Sequence, residues 1–142
     1  MPQGFRIITT ESKLIHFHYD SINAPRTCEA FASILPFTRT FMHAKRSGEE
    51  IWIDNPPFLD IPQENSSIFT EPGEVVFGPM RPARNRTANC MGIYYGQGQG
   101  LDGCNIFARV LDEDLYLLKE LGEAIWKHGM KELTIEGFTG EK

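Results

Sequence analysis

A chain of 142 residues, 41% hydrophobic and 23% charged, is long enough to bury a core without disulfide or metal staples, and its 11% aromatic content argues against disorder. Fourteen Lys and Arg against nineteen Asp and Glu leave a formal charge of −5, which argues against a non-specific nucleic-acid binder, since that needs a basic stripe to displace counterions. Thirteen glycines and nine prolines cut the chain into short pieces, the pattern of strands and turns rather than of a helical bundle.

Residues 5–9 and 14–19 are rich in β-formers and flank a turn at Glu11, Ser12 and Lys13, so the chain opens with a hairpin. Over residues 25–35, Cys28, Phe31, Ala32 and Leu35 recur at helical spacing, with Pro25 in the first turn and Pro36 as the stop. Residues 38–45 and 50–53 read as strands joined by a turn at Ser47 and Gly48. Residues 54–65, with three prolines, read as a long irregular excursion. Pro72 and Gly73 suit the centre of a type II turn leading into a strand at 75–77. Residues 88–95 and 105–110 are expected as two strands, joined by the glycine-rich stretch 96–103. Leu115, Leu118, Leu121, Ala124, Ile125 and His128 mark one face of a second helix that follows three acidic residues and ends at Gly129. A last strand, 131–135, precedes a polar tail at 139–142. The expected order is two strands, a helix, five strands, a helix and a strand, in a single domain spanning residues 1–142.

Several strings invite chemical readings that their context weakens. Gly98, Gly100 and Gly103 match G-x-G-x-x-G, but a dinucleotide site needs that loop to open onto a helix, and here a strand follows. Arg81, Arg84 and Arg86 form the only local basic cluster and, between prolines, read as an exposed loop. Cys28, Cys90 and Cys104 are odd in number and widely spaced, which indicates neither a disulfide framework nor a zinc site and suits reduced thiols in a cytoplasm. The first residues carry no charged leader followed by an apolar stretch, and no window approaches a membrane span. His16 and His18, two apart on a strand, project from one face and could chelate a metal, although an exposed polar face is the favoured explanation. No cofactor or metal is expected. His43, at a strand end beside Lys45, Arg46, Ser47 and Glu49, suits a general base near neutral pH. Glu64 and Asn65 at the end of the long excursion could orient a polar ligand or cap a turn. No serine or cysteine sits in an activating motif, so nucleophilic catalysis is not indicated.

Asp20 and the run Pro25, Arg26, Thr27, Glu29 and Phe31 resemble the hairpin-to-helix passage of cyclophilins. The match is closer to small bacterial and archaeal cyclophilin-like proteins of unknown function. It runs through Leu35-Pro36-Phe37, His43-Ala44-Lys45, Ser47-Gly48-Glu49, Trp52-Ile53, Glu64-Asn65, Pro72-Gly73-Glu74 and Tyr95-Gly96. The resemblance implies a mainly β fold, a closed eight-stranded cyclophilin-like barrel capped by two helices. It does not carry the isomerase residues, because the stretch around Arg39, Phe41 and Met42 lacks the Gln-Gly-Gly-Asp that builds the proline pocket.

The reading that results is a cytoplasmic protein binding a small polar metabolite, an amide, a urea-like compound or a carboxylate, in a cleft on the barrel. His43 would act as acid or base and Arg46 as an anion clamp, with Glu64 and Asn65 as orienting groups and Trp52 and Tyr95 as walls. The alternatives are a residual prolyl isomerase and a non-catalytic module that assembles as a homo-oligomer. Neither nucleic acid nor membrane is expected as a partner.

Overall fold

The computed structural model describes residues 3–139, so residues 140–142 of the expected polar tail lie outside the described residues. Eight strands form one sheet: β1 (Gly4–Ile8), β2 (Leu14–Tyr19), β3 (Phe37–His43), β4 (Gly48–Ile53), β5 (Ser66–Thr70), β6 (Glu74–Phe77), β7 (Met91–Val110) and β8 (Lys131–Phe138). The helices are α1 (Pro25–Ser33) and α2 (Leu115–His128), the latter entered through a short 3-10 turn at Asp112–Asp114.

The sheet runs β2-β1-β8-β3-β4-β7 and closes where β7 returns to β2, with Phe17 opposite Val110 and Tyr19 opposite Ala108. Six strands therefore make the closed ring, while β5 and β6 pair onto β7 off that path. This corrects the expected eight-stranded barrel. The eight-strand total survives only because two differences cancel. Residues 66–70 form a strand that the sequence reading had missed, and residues 91–110 form one continuous strand instead of two strands and a glycine loop. β7 can do this because its two limbs both pair with β6: Val75 faces Ile93 on one side and Ala108 on the other.

Alternation along the strands sorts the side chains. Phe5, Ile7, Ile15, Phe17, Ile51, Ile53, Val75, Phe77, Ile93 and Phe107 are almost wholly buried inside the ring. Helix α1 covers this core with Cys28 and Phe31, and α2 with Leu118, Leu121 and Ile125. Gly73 takes φ +92°, as the third position of a type II turn requires, and Gly129 ends α2 at φ +94°. The Pro25 start of α1 is as expected, but the helix ends at Ser33 and leaves Leu35 beyond it.

His16 is not on an exposed face. It is 4% exposed, and Asp114 Oδ2 accepts its backbone N–H at 2.9 Å and sits 2.8 Å from its Nδ1. The pair ties β2 to the entry of α2. His18 remains exposed on the same side, with both imidazoles near Phe138.

Candidate functional site

The residues of β4, β6 and β7 that alternate away from the core line a cleft on the outer face of the sheet. Its volume is about 390 Å³, within the range of small-molecule sites. Trp52, Val76, Met91 and Leu101 supply apolar walls, and Ser47, Ser67, Thr70, Thr87 and Tyr94 supply hydroxyls. The end of β3 and the turn after it bring His43, Lys45 and Arg46 to one side, and the segment before β7 brings Arg86 and Cys90 to the other.

Glu50 is the residue that the sequence reading did not single out. It lines the cleft yet is 8% exposed. Its Oε1 forms a very short hydrogen bond with the Ser47 hydroxyl, and the Tyr94 hydroxyl bonds the same carboxyl. Burial pushes this carboxyl up to about 7, against the opposing pull of those two hydroxyl donors. Gly92 on the paired strand makes the room, since a Cβ there would stand 1.8 Å from Glu50 Oε2. Gly98 makes room in the same way for the Tyr94 ring, 2.3 Å from where its Cβ would be. Gly98, one of the glycines that imitate a nucleotide motif, thus lets an aromatic side chain lie across β7.

His43 Nε2 lies 2.6 Å from the Tyr95 hydroxyl, and the Trp126 ring packs against the imidazole at a centroid distance of 4.7 Å. Its Nδ1 is buried and has no hydrogen-bond partner among the described residues. Burial, and then the nearby Lys45 charge, lower its pKa, with Glu49 opposing them, so the imidazole is neutral at pH 7. At the far rim, Arg86 holds Asp102 through Nε at 3.1 Å and Nη2 at 3.0 Å. Lys45 and Arg46 are exposed and make no ion pair among the described residues.

Of the residues singled out from sequence, His43, Arg46 and Trp52 meet in the cleft, while Glu64, Asn65 and Tyr95 do not line it. Tyr95 follows Tyr94 on β7 and therefore points the opposite way, into the core, where its ring lies over Gly122 of α2 and its hydroxyl meets His43. Glu64 Oε1 accepts the backbone N–H of Thr27 at 2.6 Å and its hydroxyl at 3.0 Å, which caps the first turn of α1 from the long excursion. Asn65 donates to the Ile106 carbonyl at 2.8 Å. Arg39 is also elsewhere, with Nε on the Asn55 carbonyl at 2.8 Å. Glu64→Ala is expected to lower unfolding free energy by about 1–2 kcal/mol through loss of the cap, read by urea denaturation. An unchanged midpoint would show that water replaces the carboxylate at no cost.

No group of three or more His, Cys, Asp or Glu with metal-holding geometry occurs among the described residues. Cys104 lines the cleft and donates weakly to Thr87 Oγ1 at 3.3 Å, and burial pushes its thiol up to about 11, which leaves it a poor nucleophile. No described helix is long and apolar enough to cross a membrane.

Residues 17–136 match a family described as Protein of unknown function (DUF3830). No curated protein matches the chain. Among solved structures, McbB in complex with tryptophan is similar, with TM-score 0.74 at 19% identity over 97% of this chain. The match covers 45% of McbB, so this chain spans less than half of that protein. A hypothetical protein from Archaeoglobus fulgidus matches with TM-score 0.63 at 19% identity, covering 96% of this chain and 95% of its own. A cyclophilin-type peptidyl-prolyl cis-trans isomerase from Cryptosporidium parvum, solved in the presence of the dipeptide Ala-Pro, matches with TM-score 0.64 at 17% identity. That match covers 99% of this chain and the whole of the isomerase. The fold is therefore cyclophilin-like.

Proposed function

The chain belongs to the family of proteins of unknown function DUF3830, and we propose that it binds a small polar metabolite in the cleft across β4, β6 and β7. The observation that carries this reading is Glu50: a carboxyl is kept in a largely apolar cleft, hydrogen-bonded by Ser47 and Tyr94. Burying a carboxyl costs free energy, and a purely structural wall would be served as well by an apolar side chain.

In this reading Arg46 and Lys45 hold a carboxylate or a similar acceptor, Trp52 and Leu101 pack its apolar body, and His43 offers a neutral imidazole. Glu64 and Asn65 act indirectly, by fixing the long excursion and α1, and Tyr95 acts by orienting His43. McbB, solved with tryptophan, supports the choice of a small ligand only by analogy of fold. Prolyl isomerase activity gains no support from the site, because Arg39 is tied to the Asn55 carbonyl and lies outside the cleft.

A thermal-shift screen against small carboxylates, amides, ureas and amino acids tests the reading. A ligand at a hundred times its dissociation constant stabilises the fold by about 2.7 kcal/mol, a shift of several degrees. Arg46→Gln should weaken a carboxylate hit severalfold. Stabilisation that survives Arg46→Gln and Trp52→Ala together would place the ligand elsewhere and overturn the reading.

A further inference from the structure

Besides the Arg86–Asp102 pair, the cleft carries basic and acidic groups at two depths, and neither has an ion-pair partner among the described residues. Lys45 and Arg46 stand at the rim without an acidic partner among the described residues. Glu50 lies at the floor beside the hydroxyls of Ser47, from the β3–β4 turn, and Tyr94, from β7, with the thiols of Cys90 and Cys104 near enough for its charge to act on them. Among the described residues, no Lys or Arg acts on it. Of the other acids nearby, Asp102 also lines the cleft but is already held by Arg86, and Glu49 packs over Gly96.

Resting on the small-molecule reading above, we propose that the ligand is a small zwitterion of the amino-acid type, its carboxylate held by Arg46 and Lys45 and its ammonium by Glu50. Both hydroxyls at Glu50 are placed to donate, which is the arrangement of a carboxylate that accepts hydrogen bonds. What that carboxylate lacks is a cation. A ligand ammonium supplies it, and one neutral at that end does not. A plain acid would leave the floor uncompensated, and an amide N–H could donate to the carboxylate but would not neutralise it.

The test is calorimetry with α-amino acids, β-alanine and γ-aminobutyrate against propionate, butyrate and the matching amides. At least one amino acid is expected to bind at least tenfold more tightly than its des-amino acid. Because only ionised Glu50 receives the ammonium, affinity should rise about tenfold from pH 6 to pH 8, with a proton released at the lower pH. Glu50→Gln should abolish both the preference and the pH slope. Should that variant fail to fold, Tyr94→Phe, which removes a donor to the carboxylate, should move the slope to higher pH. Carboxylates or amides that bind as well as the amines, or affinity that falls as pH rises, would overturn this inference and leave the cleft reading standing. If none of these probes binds, both are overturned.

Discussion

Phe31→Ala is expected to cost about 3–5 kcal/mol of unfolding free energy, the range for removing a wholly buried phenylalanine from a packed core. Phe31 projects from α1 into the closed ring and is 0% exposed. Its ring meets Phe5 at 5.0 Å, Phe107 at 4.9 Å, Phe37 at 6.0 Å and Phe77 at 6.3 Å between centroids. One side chain therefore joins α1 to β1, β3, β6 and β7, and no single neighbour can swing in to fill its place. Alanine leaves a cavity bounded by four rings, each fixed in its own strand, so little relaxation is available to recover the loss. Phe31→Leu keeps most of the volume and should cost much less. Urea denaturation of the two variants reads both values, with the slope unchanged if the denatured ensemble is unchanged. A loss below 1 kcal/mol for alanine would mean that α1 does not plug the ring. Since this core lies on the opposite side of the sheet from the cleft, ligand binding at low denaturant should survive.

That same division of the sheet into two faces decides what could be read from sequence. The hairpin, both helices and the β3–β4 pair were legible because their apolar residues follow a period of 2 or 3.6. Both limbs of β7 were legible as strands at 88–95 and 105–110, but its continuity was not, because the glycines at 96 and 98 carry no side-chain pattern, and what they signal is the bulk of Glu49 and Tyr94 lying against them. β5 was not, because a short strand off the ring, half-exposed and with Phe69 in solvent, has no inward stripe to announce it. In the site, His43, Arg46 and Trp52 were found because they flank a recognisable turn. Tyr95, expected as a wall, lies on the core side of β7 while its neighbour Tyr94 lines the cleft, a parity invisible until the pairing of Glu50 with Tyr94 sets which side faces the cleft. The signal for Glu50 itself was present: an acid alternating with Ile51 and Ile53 at the head of a strand, three residues after a serine, opposite a strand of glycines. Glu64 was chosen for its chemistry, but that chemistry is spent on an orphan N–H of α1, a use set by tertiary contact across 37 residues.

Glu50 also makes the stability of the free protein depend on pH in a direction opposite to that of an ion-paired carboxylate. Its ordinary value is 4.5, and burial raises it to about 7 in the fold. Between those values the native state holds a proton that the unfolded chain has lost, so unfolding free energy falls as pH rises. The contribution is fully present below pH 4.5, declines through the interval and is gone above about pH 7. At 1.36 kcal/mol per pH unit the total is about 3 kcal/mol, with roughly 2.5 kcal/mol of it between pH 5 and pH 8. Other groups also titrate, so the measurement is the difference between Glu50→Gln and the parent chain, taken by urea denaturation at intervals from pH 5 to pH 8. Glutamine keeps the shape and cannot ionise, so its advantage over glutamate should grow by about 2.5 kcal/mol across that range and level off above pH 7. Tyr94→Phe removes one donor to the ionised form and should move the level portion to higher pH. A difference that stays flat would mean that Glu50 is already ionised at pH 5. The cleft floor would then need no ligand cation to hold its charge, and the pH slope expected of amine binding should vanish in the same experiment.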